Sequence, residues 1–130
     1  MIPYEYVDEA GDRILSDWRL QKRERRALIV MLYRLFRTDS QQAIGSFIFK
    51  ETEAGIYYAK VTGNVQLRPR LCRGPQRPND EVTFLVRAEE RNWRTIPRNA
   101  AKIAAELLPV VVANPARRKR YRPMPPEQGE

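Results

Sequence analysis

The stretch Gly55-Ile56-Tyr57-Tyr58-Ala59-Lys60-Val61-Thr62-Gly63-Asn64-Val65-Gln66-Leu67-Arg68-Pro69-Arg70-Leu71-Cys72 alternates apolar and polar side chains with period two. That period belongs to strands, and Thr62-Gly63-Asn64 has turn chemistry, so the stretch predicts a β-hairpin with strands over 56–61 and 65–72. Pro69 cannot donate to a ladder and marks an interruption or bulge in the second strand. The next segment, 73–80, is rich in Gly, Pro and Asn and reads as a loop. Val82–Ala88 follows as a nearly continuous apolar run, the pattern of a central strand.

The flanks are helical by pattern. Leu28, Met31, Leu32, Leu35 and Phe36 make one apolar stripe behind the basic stretch Lys22–Arg26. Ile14, Leu15 and Trp18 suggest a preceding helix capped by Asp8 or Asp12, so the two helices are expected to form an antiparallel hairpin. Ile2–Val7 reads as a short strand at an edge, because Pro3 sits in it. Residues 38–55 are mixed, with Phe47-Ile48-Phe49 as an anchor on the core. Pro97 opens a last helix carrying Ala100, Ala101, Ile103, Ala104, Leu107 and Leu108, and Pro109 is expected to end it. The sum is an α+β domain over residues 1–108. It has a small antiparallel sheet, with an N-terminal helical hairpin and a C-terminal helix on one face. Residues 109–130, rich in Pro and Arg, have little to bury and are expected to form a flexible tail.

Composition narrows the chemistry. The 130 residues carry a net charge of +8, enough for one domain with an anionic partner. Arginine outnumbers lysine 19 to 5, which suits bidentate contact with phosphate. The chain has no histidine, which excludes a Ser-His-Asp triad and any imidazole base. One cysteine, Cys72, excludes an internal disulfide, and no metal or other cofactor is expected. Apolar runs fall short of the roughly 18 residues of a membrane span, and the first residues lack a signal-peptide pattern, so a cytoplasmic protein without membrane contact is expected.

Alternation sorts the side chains of the expected strands by face. One consistent register places Lys60, Arg68, Arg70 and Arg87 on the open face of the sheet, with Tyr58 beside them. Such a face could promote attack of an RNA 2′-hydroxyl on its own phosphate. Arg68, Arg70 and Arg87 would stabilise the phosphorane, Lys60 or Glu89 would act as base, and Tyr58 would stack or donate. Arg73, Trp93 and the tail residues Arg117, Arg118, Lys119 and Arg120 are further candidates for RNA contact. A solvated charged face without chemistry is the other reading of the same spacing.

The residues from Asp12 to Leu108 resemble the RelE/HigB-like toxins of bacterial type II toxin–antitoxin systems. The resemblance rests on Glu53–Val61, on Val65–Leu71, and on Phe84–Arg91 followed by Thr95-Ile96-Pro97 and Ala101. It implies a small ribosome-dependent mRNA endonuclease, neutralised by a cognate antitoxin. Arg68 matches the family's strand arginine, Lys60 falls in its basic strand, and Arg91 falls in the basic pair after the last strand. With Arg87, these are the expected catalytic residues. Glu89 and Glu90 depart from the family pattern by preceding Arg91 where the pair is basic, and Trp93 is the one aromatic nearby. The alternatives are a non-enzymatic RNA- or ribosome-binding protein, or a phage assembly protein, using the same basic face and tail.

Overall fold

A computed structural model describes residues 1–39 and 45–125. The part of the mixed segment 38–55 that spans 40–44, and the last five residues of the expected tail, lie outside the described residues. The class is α+β, but the architecture differs from the expected helical hairpin on an antiparallel sheet. A six-stranded mixed sheet and a three-stranded sheet accompany two long helices.

The chain enters as β1 (Ile2–Tyr6) and forms its first helix only at α1 (Lys22–Arg37). Residues 8–20, expected as the first arm of a helical hairpin, are turns. Local side chains take the backbone donors that a helix would use. Asp8 accepts from the amides of Ala10 and Asp12, both at 2.9 Å, and Asp17 accepts from that of Arg13 at 2.8 Å. Gly11 holds φ +85, which ends any helical run there. Leu15 still reaches the core, where it is fully buried.

The expected hairpin forms, but its second arm is split. β2 (Ile48–Lys50), β3 (Tyr57–Ala59), β5 (Arg70–Arg73), β6 (Glu81–Val86), β1 and β9 (Arg118–Arg120) make the large sheet in that spatial order. β4 (Gln66–Leu67) leaves it to join β7 (Glu89–Arg91) and β8 (Arg94–Ile96). Pro69, lacking an N–H, sits between β4 and β5, and a register shift against β6 follows at Arg70/Leu71. β1 runs parallel to β6, which makes the sheet mixed.

Alternation along β6 sends side chains to two separate cores. Val82 and Phe84 join Leu28, Met31, Leu32 and Leu35 of α1. Leu85 joins Ala104 and Val111 of α2 (Ala100–Ala113). The sheet therefore lies between its helices, rather than carrying them on one face.

The expected flexible tail is also corrected. α2 continues through Pro109 to Ala113, at the cost of one helical hydrogen bond, because Val111 is fully buried. A 3₁₀ turn over Pro115–Arg117 then delivers β9 to the edge of the sheet, where it pairs with β1. No helix among the described residues is long and apolar enough to cross a membrane.

Candidate functional site

The pairing of β2, β3 and β5 sets three side chains abreast. Phe49 lies opposite Tyr58, and Tyr58 opposite Arg70. The Phe49 and Tyr58 rings stack with centroids 5.5 Å apart, and the Arg70 guanidinium lies 5.2 Å from the Tyr58 centroid. Lys60, two residues beyond Tyr58, places its ammonium 4.6 Å over Phe49. Tyr58, Lys60 and Arg70 of this row form one wall of an open cleft of about 490 Å³, with Phe49 stacked behind Tyr58. Arg68 contributes from just after β4, Glu90 from β7, Thr95 from β8, and Trp93 from the turn between β7 and β8.

The cleft's cations differ in what they have to spare. Arg70 is buried and its fork is spent: Nε meets Glu51 at 2.7 Å, while its terminal nitrogens donate to the Arg68 carbonyl and to Thr95 Oγ1. It orients the wall. Arg68 donates to the Leu67 carbonyl at 2.8 Å and faces Glu90 at 3.6 Å, a half-exposed partner that a phosphate can displace. Lys60 is exposed. Three cations against Glu51 and Glu90 leave one net positive charge in a cleft that holds both acids and bases. A second groove of about 460 Å³ along α1, with Ala27, Val30 and Phe47 on its floor, shares Lys60 with it.

Comparison of the chain with protein-family models, with curated proteins and with solved structures finds no match.

Arg87 does not join the cleft. It donates to the carbonyls of Ile14 and Arg13 and meets Asp12, all at 2.8 Å, pinning the turns of residues 8–20. The register shift in β5 and the end of β6 at Val86 separate it from the Lys60–Arg68 wall. Arg91 lies outside the cleft lining, exposed and paired with Glu89 at 2.7 Å, and Glu89, the base the sequence suggested, lies outside the lining with it. Arg73 holds the following loop through the Pro78 carbonyl and Asn79. Arg117 is spent on Val7 and Tyr6, and Arg118 is buried against Glu81. Lys119 and Arg120 stay exposed on the edge strand. Tyr58, Lys60, Arg68, Arg70 and Trp93 are thus brought together. Glu51, Phe49, Glu90 and Thr95 join them without having been foreseen. The sequence signal for the first two is their period-two spacing, Phe49 on β2 and Glu51 just beyond its end.

Cys72 has no part in this site. Burial raises its thiol from 9.0 to about 11, against a smaller opposing pull from Arg118. Native protein at pH 8 is therefore expected to resist a disulfide-exchange reagent that labels the urea-unfolded chain at once. The folded pKa is the higher one. The associated stability is fully present below pH 9 and is lost as pH rises through about 11, because the unfolded thiol ionises first. A urea midpoint that stays level over that window would contradict this.

Proposed function

We propose that the cleft binds single-stranded RNA and cleaves it. In this reading the chain is a cytoplasmic toxin of the RelE/HigB type, which cuts mRNA on the ribosome and is neutralised by a cognate antitoxin. The observation that carries it is that Lys60, Arg68 and Glu90 line one open cleft beside Tyr58 and Trp93. A phosphodiester entering the cleft takes the Arg68 guanidinium from Glu90. The freed Glu90 carboxylate removes the 2′-hydroxyl proton, and the oxygen attacks the adjacent phosphorus. Arg68 stabilises the phosphorane, and the Lys60 ammonium protonates the departing 5′-oxygen. The products are a 2′,3′-cyclic phosphate and a 5′-hydroxyl, and the step needs no metal. Tyr58 and Trp93 offer faces on which bases stack.

Induction of the chain alone is expected to arrest growth and translation, and purified ribosomes are expected to release mRNA fragments with those ends in the presence of EDTA. Arg68→Ala is expected to lower cleavage about 10²–10³-fold, the cost of removing one preorganised charge-stabilising donor. Its fold is expected to survive, because among the described residues the guanidinium meets the Leu67 carbonyl, Gln66 and a half-exposed Glu90. Unchanged cleavage in Arg68→Ala would remove this assignment.

One observation favours a second reading, an RNA-binding protein without cleavage. Arg68 and Arg70 each already face a carboxylate, and Arg87 lies elsewhere. The same assay separates the two: ribosome and RNA binding that falls with salt, without new RNA ends, supports the second.

A further inference from the structure

β7 and β8 are joined by two residues, Asn92 and Trp93, at φ +50 and +67. That conformation matches the twist of two-residue hairpin loops, where Asn-Gly is the favoured pair. Asn tolerates it, but a bulky indole there is strained. Among the described residues no packing offsets the strain, since Trp93 is 95 % exposed. Its position is equally specific. On one side is the cleft with Tyr58, Lys60 and Arg68. On the other, an open cavity of about 600 Å³ is lined by Arg91, Asn92, Arg94, Thr95, Ile96 and Arg98, with no acidic residue. Thr95 lines both. Trp93 lines the first hollow and Asn92, its neighbour in the turn, lines the second, so the turn forms the ridge between two cation-bearing hollows.

We infer that the β7–β8 hairpin is a nucleobase-stacking finger, and that the cavity beyond it is a second phosphate subsite for the same RNA strand. A single strand crossing the ridge sets one base on the indole, where any base can stack. Its phosphate on the near side falls to Lys60 and Arg68, and the phosphates beyond fall to Arg94 and Arg98. A duplex, whose bases are already stacked, gains nothing from the indole. The finger therefore assigns single-stranded RNA long enough to span both hollows as the ligand class. It rests on the reading of the cleft as an RNA site.

The test uses the full chain with Trp18→Phe, which leaves Trp93 as its one indole. Single-stranded oligoadenylates of about four and about twelve nucleotides are titrated by fluorescence and anisotropy. The longer one is expected to quench the indole. Trp93→Ala is expected to weaken its binding about tenfold, with Trp93→Phe recovering most of the loss. Arg98→Ala is expected to lower the salt slope by about one. Trp93→Gly, free to adopt φ +67, is expected to melt above the wild type and yet bind as weakly as Trp93→Ala. Arg68-dependent binding with a silent indole, and with Trp93→Ala and Arg98→Ala binding as wild type, overturns the finger alone. Failure of the wild type to bind either oligonucleotide overturns the cleft reading and the finger with it.

Discussion

Arg118→Met is expected to cost about 3–5 kcal/mol of folding stability, the range for breaking one side of a buried ion pair. The guanidinium and the Glu81 carboxylate lie 2.9 Å apart, with side chains only 4 % and 5 % exposed. Arg118 also donates to Thr83 Oγ1 at 3.2 Å and lies 3.7 Å over the Tyr4 ring. Methionine keeps much of the volume but leaves Glu81 as a buried charge, supported only by the amides of Gln76 and Arg77. Against a typical domain stability of about 5–15 kcal/mol, that loss brings a chain of this size near its threshold. Combining it with Glu81→Leu, which removes the orphaned charge, is expected to restore part of the loss. Urea unfolding of the two variants measures both effects. A solvated residue in a mobile tail would shift stability by less than about 0.5 kcal/mol, and that result would detach β9 from the fold.

Glu5→Ala is expected to cost about 2–4 kcal/mol by a different route, the exposure of unmatched donors rather than of a charge. Glu5 is fully buried. One carboxylate oxygen accepts from the amides of Leu15 and Ser16 at 2.9 and 2.8 Å, and the other accepts from the Ser16 hydroxyl at 2.5 Å. Those contacts fasten the turns of residues 8–20 to β1, and Arg25 braces the same segment through the carbonyls of Leu15 and Trp18. Removing the carboxylate strands two amides with no helix to receive them. Glu5→Gln, which keeps one acceptor, is expected to lie between. Thermal unfolding gives the cost, and faster hydrogen exchange at Leu15 and Ser16 identifies its source. A change under about 0.5 kcal/mol with protected amides would refute the account.

The two positions also explain what was legible in the amino-acid order. Strands with strict alternation, such as the hairpin around Gly63, and a helix with a clean apolar stripe, such as Lys22–Arg37, announce themselves locally. So do Tyr58, Lys60, Arg68 and Arg70, close in sequence and spaced by twos. Residues 8–20 carry apolar side chains at helical spacing, but acidic side chains claim the amides, and Glu5 does so from the preceding strand, β1. Arg118 sits in a run that reads as solvated because its partner lies 37 residues away. Arg87 misses the cleft because Pro69 and the register shift at Arg70 break the continuous strand that a face assignment assumes. The β7–β8 hairpin has too few apolar residues to signal itself, and with it Glu90 and Thr95 went unseen as parts of the site.

The arrangement of β1 has a bearing on synthesis. Ile2–Tyr6 is made before either of its neighbours in the sheet: β6 and β9 both follow residue 80, and the second of them is complete only at Arg120. Until then β1 has an unpaired edge, and the buried Arg118–Glu81 pair cannot form. Closure of the large sheet is thereby deferred until more than 110 residues beyond β1 have been made, so a nascent copy cannot complete this sheet while its hairpin and first helix are still emerging.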